Sequence, residues 1–223
     1  MPFNPKLSHG SLTCFQFQMS DPIPINLAFE DALHEAVLLK MLSQSGRNFY
    51  PAFRYSRSGF GYLKRTIKGF NNASVGIPFF VLTDLDKNEC APSLIRDWLP
   101  YPMCPNLLFR VAVHEVEAWI LADRKAFSSF LGISEQMIPQ NLDEQPDPKA
   151  LLIRLVKKSK KRALQRDIVP RVGSGWIHGP NYNAPLIAFV AEQWDMYRAR
   201  QHSESLSRAM DALLGFKPLP QTR

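Results

Sequence analysis

The chain has 223 residues, a formal net charge of +7 and a pI near 9.4, enough length for one α/β domain with a helical appendage and enough positive charge to favour polyanionic partners. Hydrophobic residues make up 45% and charged residues 21%, and no apolar run approaches the roughly 20 residues that span a bilayer, so neither a membrane-spanning nor a disordered chain is indicated. Cys14, Cys90 and Cys104 are odd in number and lack C-x-x-C spacing, which argues against a disulfide framework and a structural zinc site.

Residues 1–22 carry Pro2, Pro5, Gly10 and Pro22 without a clear period and read as an N-terminal arm. They show no basic region followed by an apolar block, so no secretory signal is expected and a cytoplasmic location follows. Ile23 to Phe29 predicts a first strand, and apolar residues at helical spacing from Asp31 to Gln44 predict the helix after it. Ser45 to Phe70 interleaves Arg54, Arg57, Lys64, Arg65 and Lys68 with Tyr55, Phe60 and Tyr62, and reads as a loop followed by a short basic helix near 63–69. The apolar run Gly76-Ile-Pro-Phe-Phe-Val-Leu-Thr-Asp-Leu-Asp-Lys87 predicts a buried strand that stops at Asp84. A helix around 92–99 and a strand over 107–113 complete the repeated strand–helix pattern of a mostly parallel sheet flanked by helices.

Beyond Glu115 the pattern turns helical: 117–130, a Pro-containing loop, 149–165, a Gly/Pro-rich linker over 170–185, and a last helical pair ending near Leu214. The expected organisation is an arm (1–22), an α/β core (23–135) and a helical C-terminal elaboration (136–223).

Parallel sheets place ligands at the C-terminal ends of their strands. Glu30 follows the first strand, Asp84 and Asp86 end the second buried one, and Glu115 and Glu117 follow the third, so acidic residues converge on one edge. Glu35, early in the first helix, can reach the same mouth or remain a surface residue. Crowded carboxylates suit Mg²⁺ or Mn²⁺, and such ions support phosphodiester cleavage. The other reading of the aspartates is a turn at Asp84 and a helix cap at Asp86. His114 suits a general base, a ligand or a donor to a phosphate, against the alternative of a satisfied strand-end histidine. Trp119, Ile120 and Leu121 read as core, and Asp123 as a helix-end or turn residue. Basic residues between Arg154 and Arg166, including Lys157, Lys158, Lys160, Lys161 and Arg162, read either as a phosphate track on one helix or as a solvated face. With Arg54, Arg57, Lys64 and Arg65 they form the expected nucleic-acid-binding set. No G-x-S-x-G elbow, P-loop or G-x-G-x-x-G fingerprint is present.

The order Glu30, then Asp84-Leu-Asp86 after a buried strand, resembles the Toprim domain of topoisomerases, primases and OLD-type nucleases. The stretch His114-Glu-Val-Glu-Ala-Trp-Ile-Leu-Ala-Asp123, with Asp147-Pro-Lys149 and Gly179-Pro-Asn-Tyr-Asn183, resembles a bacterial family placed near those proteins. The resemblance implies that Glu30 acts as general acid or base and that Asp84 and Asp86 hold Mg²⁺. It also implies a nuclease that works with an ATPase partner in defence against phage. Glu30 is followed by Asp31 where many Toprim proteins have glycine. The expected function is therefore a Mg²⁺- or Mn²⁺-dependent nuclease with Glu30, His114 and Glu115 as catalytic residues and Glu30, Asp84, Asp86, Glu117 and Glu35 around the metal. DNA and RNA both stay open as substrates, a homo-oligomer is compatible, and the competing reading is a non-catalytic nucleic-acid-binding or regulatory subunit.

Overall fold

The computed structural model describes residues 21–56, 60–173 and 175–219; Arg57 and residues 1–20 of the N-terminal arm lie outside them. Four strands, β1 (Ile23–Ala28), β2 (Phe49–Tyr55), β3 (Phe79–Asp84) and β4 (Leu107–Ala112), form one parallel sheet in the order β2-β1-β3-β4. The fold is the α/β class expected, a parallel sheet flanked by helices with further helices toward the C-terminus.

Side chains alternate across the sheet as the period of two demands. Ile25, Leu27, Phe80, Leu82, Leu108 and Ala112 enter the larger apolar cluster, whereas Ala28, Phe79, Val81, Leu107, Phe109 and Val111 enter the smaller one. α1 (Ala32–Gln44) packs on the first face through Leu33, Val37, Leu38 and Met41. α2 (Phe60–Ala73) and α3 (Ala91–Trp98) cover the second through Leu63, Ile67, Phe70, Leu94 and Trp98. The chain thus runs from β1 outward to β2, then returns across β1 to β3. This reversal opens a crevice between the C-terminal ends of β1 and β3.

β2 was not expected within the basic stretch 45–70. It is the sheet edge, half exposed and carrying Pro51, whose missing N–H is tolerated where no outer strand needs it. The register with β1 shifts between Ile25 and Leu27, as a bulge would produce. With neither an apolar run nor clean alternation, the segment lacked the usual strand signature.

Two expected helices are each broken. The first divides into α4 (Val116–Ala122) and α5 (Arg124–Leu131) at Asp123, and the second into α6 (Pro148–Lys158) and α7 (Arg162–Ile168) at Ser159. Every residue of α4 is buried and all but Glu117 are apolar, so it is a central helix. Around it lie α6, α8 (Asn183–Glu192), α9 (Met196–Ala199) and α10 (Glu204–Leu214), in the same cluster as α1 and the first sheet face.

Asp123 is fully buried, more than a helix-end residue. Its carboxylate accepts from the Ala126 N–H, capping α5, from the Asp195 N–H at 2.9 Å, and from both the Nε and Nη2 of Arg198 at 2.9 and 2.7 Å. Arg198 is half exposed, but removing the buried carboxylate leaves two backbone N–H groups without their acceptor. Asp123→Ala is expected to lower the unfolding free energy by about 2 kcal/mol, read as a shift in the urea midpoint; a change within experimental error would contradict this role.

Candidate functional site

β1 ends just before Glu30, and Asp31 then starts α1. Asp31 has extended backbone (φ −146°), and its Oδ1 accepts from the N–H groups of Leu33 and His34, an N-cap that needs no glycine at this turn. Glu30 reaches across to β3, where its Oε1 accepts from the Thr83 hydroxyl and from the Asp84 N–H at 3.0 Å. Burial pushes the Glu30 carboxyl above the usual range; the Thr83 bond opposes that and nearby Asp84 adds to it.

His34 lies one turn into α1, 3% exposed, with Nδ1 2.8 Å from Asp31 Oδ1 and Nε2 3.0 Å from Asp84 Oδ1. Burial alone would lower its pKa, but the two carboxylates outweigh it and hold the ring protonated well above the ordinary 6.5. As an imidazolium it donates from both nitrogens. Burial raises and His34 lowers the Asp31 pKa, and the His34 bonds prevail, bringing it to about 2. Asp84 Oδ1 also accepts from the Val116 N–H at 2.8 Å, so the chain entering α4 is tied to the end of β3.

After Asp84 the chain turns through Asp86 in the left-handed region (φ 50°), a conformation that Asp tolerates better than most residues. The Asp86 N–H donates to the His114 carbonyl at 3.0 Å, and His114 Nδ1 sits 3.3 Å from the Asp86 carbonyl oxygen. The Asp86 carboxylate is exposed and accepts no hydrogen bond from any described residue; partial burial and Asp84 raise its pKa.

The third group gathers around Lys149. Asp147 caps α6 through the Ala150 N–H and Pro148 takes the first helical turn, which points Lys149 back toward α4. Lys149 Nζ lies 3.3 Å from Glu117 and 3.7 Å from Glu115, and its N–H donates to Glu115 Oε2 at 2.9 Å. Glu117 is 2% exposed; its Oε1 accepts from the Tyr182 hydroxyl at 2.9 Å and its Oε2 is buried without a partner. Burial raises its pKa to about 7 against the opposing charge of Lys149. Burial also raises Glu115, again against Lys149, while the carboxylates around Lys149 outweigh its own burial and raise its pKa. Tyr182 is delivered by a tight turn: a Cβ at Gly179 would stand 2.4 Å from the Asp167 carbonyl oxygen, so only glycine fits beside α7.

Glu30, Asp31, His34, Asp84, Asp86, Glu115 and Lys149 line one cavity of about 450 Å³ at the crevice. His114 borders the adjoining cavity with Asp86 and Glu115. Glu30, His34 and Asp84 each offer a ligand atom within 4.8 Å of the others. His34 is already engaged at both nitrogens, so the donors suited to a cation are oxygens: Glu30, the second oxygen of Asp84, and Asp86. Oxygen donors suit a hard divalent ion; of these three residues Glu30 and Asp84 belong to the group whose ligand atoms lie within 4.8 Å of one another, and Asp86 lines the same cavity outside that group.

Glu35 does not join the cavity; it pairs with Arg54 at 2.8 Å. Lys64 pairs with Asp97, and Arg65 stands exposed on α2. Lys157 and Lys158 lie at the far end of α6, about 12 Å along the axis from Lys149 at 1.5 Å per residue. Lys160, Lys161 and Arg162 are exposed at the α6–α7 break, where Lys161 donates to the Phe130 carbonyl. The basic run is thus divided between two helices and a connector. Asp31, His34, Thr83, Lys149 and Tyr182 entered the site without being singled out from sequence. Asp147-Pro-Lys149 and Gly179-Pro-Asn-Tyr-Asn183 carried the signal for two of them. A comparison with protein-family models, curated proteins and solved structures finds no match to this chain.

Two pH limits follow from His34. The folded-state pKa of Asp31 lies below the ordinary 3.8, so its stabilisation is full above 3.8 and is lost as pH falls toward 2. The pKa of His34 is raised, so its stabilisation is full below 6.5 and is lost as pH rises through the folded value. With chelator present, His34→Gln is expected to flatten the pH dependence of the urea midpoint at both ends, and the wild-type ring to remain protonated by NMR at pH 7.5. An unchanged pH profile, or a ring titrating near 6.5, would contradict the bridge.

Proposed function

We propose that this protein is a metal-dependent nuclease that hydrolyses phosphodiester bonds of DNA or RNA at the β1–β3 crevice. The observation that carries the reading is the meeting of Glu30, Asp84, Asp86 and Glu115 in one cavity, with Lys149 beside them. Glu30, Asp84 and Asp86 would hold Mg²⁺ or Mn²⁺, which supplies charge neutralisation at a phosphate and a more acidic bound water. Lys149, a persistent cation at the cavity wall, can orient a phosphate oxygen. Glu30, with its raised pKa, suits proton transfer, and His114 at the rim can donate to a leaving oxygen. An ATPase partner and a role in defence against phage belong to the same proposal through the resemblance of motifs.

A second reading has its own support: His34 and Lys149 already neutralise part of the acidic cluster from within, as a nucleic-acid-binding or regulatory subunit without bound metal would require.

Supercoiled plasmid, single-stranded DNA and RNA incubated with Mg²⁺, Mn²⁺ or chelator separate the two. Metal-dependent cutting, reduced at least about a hundredfold in Asp84→Ala/Asp86→Ala, is the expected result, since this loss is of the size found on removing a group that stabilises transition-state charge. Cutting that survives the double substitution would sink the assigned ligands, and salt-sensitive binding that persists in chelator without cutting would favour the subunit reading.

A further inference from the structure

Glu117 is the one charged residue of α4, 2% exposed among apolar neighbours. A buried carboxylate adds little net stability, and an apolar side chain of similar volume serves a core position as well or better. Its polar partners among the described residues are the Tyr182 hydroxyl, which donates to Oε1 at 2.9 Å, and the Lys149 ammonium, 3.3 Å from the same oxygen; Oε2 has none. The contacts of Glu117 are thus directed at one cation and do little for the helix that carries it.

Lys149 lines the crevice with Glu30, Asp84 and Asp86, whereas Glu117 and Tyr182 are not among the residues that line it. A lysine carries its charge on a flexible four-carbon stem, and here both ends of the stem are held. The Lys149 backbone N–H donates to Glu115 Oε2 at 2.9 Å, and its ammonium rests 3.3 Å from Glu117 and 3.7 Å from Glu115. Tyr182 is fixed in turn: the Gly179 N–H donates to the Ile168 carbonyl at 2.8 Å, the Asn181 N–H donates to the Asp167 carbonyl at 3.1 Å, and the His178 ring lies 5.0 Å from the tyrosine ring. A chain of contacts therefore runs from α7 through Tyr182 and Glu117 to the ammonium at the cavity wall.

We propose that Tyr182 and Glu117 are positioning residues of the crevice: Tyr182 orients the Glu117 carboxylate, and Glu117 holds the Lys149 ammonium where it meets a non-bridging oxygen of the phosphodiester. The inference rests on the nuclease reading of the same cavity. An ammonium fixed before substrate arrives need not reorganise as charge develops on the phosphate, so the effect of both residues falls on turnover and passes through Lys149. Tyr182 donates to none of the proposed metal ligands Glu30, Asp84 and Asp86, so metal affinity does not depend on its hydroxyl.

A double-mutant cycle on the full chain tests the proposal, with Mn²⁺ and whichever of plasmid, single-stranded DNA and RNA the wild type cuts. Single-turnover conditions keep slow cutting measurable. Tyr182→Phe is expected to lower kcat at least about tenfold with KM within about twofold, and Lys149→Ala to lower it at least about a hundredfold. In the Lys149→Ala background the Tyr182→Phe step should cost less than about twofold. Glu117→Gln, which keeps the side-chain volume, should repeat the pattern, and Tyr182→Phe should bind Mn²⁺ within about twofold of the wild type. Unchanged kcat in Tyr182→Phe, equal losses in both backgrounds, or a tenfold loss of Mn²⁺ affinity would overturn the positioning role and leave the nuclease reading standing. A wild type that cuts none of the three substrates would overturn both.

Discussion

The electrostatics of one strand edge govern this structure. Glu30, Asp31, Asp84, Asp86, Glu115 and Glu117 stand around two cations, His34 and Lys149, an excess of four formal negative charges if all six ionise. Two like charges 4 Å apart cost about 4 kcal/mol at an effective dielectric of 20, so such a group does not assemble without compensation. His34 binds α1 to the end of β3, Lys149 binds α6 to α4, and Asp84 accepts from both His34 and the start of α4. Burial above all, with the neighbouring carboxylates adding to it, raises the pKa values of Glu30, Asp86, Glu115 and Glu117.

Topology decides that the compensation happens at this edge. With β1 between β2 and β3, the chain reverses its direction across the sheet, and the loops after β1 and β3 diverge to leave a crevice. The chain entering the buried helix α4 then brings Glu115 to the same opening from β4, while Glu117, within α4, stays buried behind it against Lys149 and Tyr182. The helices after residue 116 share the apolar cluster of α1 and the sheet face, so α6 and the Tyr182 turn are held against the site by the same packing that stabilises the sheet.

Much of this was legible in the sequence. The three buried strands announced themselves as apolar runs, and the carboxylates at their ends were found because a parallel sheet fixes where strand ends go. β2 was missed because an edge strand with Pro51 needs neither the apolar run nor the alternation that marks a covered one. Asp123 was read as a helix-end or turn residue and does separate two helices, although 117–130 was expected as one; the break at Ser159 was hidden because helical spacing continues across it, and its hydroxyl is held by the Leu131 carbonyl. His34 looked like one more helical residue because its role depends on Asp84, fifty positions away. Glu35 shared the right helix turn with His34 but the wrong face, and Arg54 on the unrecognised strand takes it up.

The most direct test of this account is a titration of the full chain with Mn²⁺, followed by calorimetry and by the electron paramagnetic resonance signal of the free ion, at pH 7.5 for the wild type and Asp84→Asn. A cation site that includes Asp84 predicts saturable binding to the wild type that weakens at least about tenfold, or about 1.4 kcal/mol, in the variant. No saturable binding at millimolar Mn²⁺, or equal binding by both proteins, would contradict it.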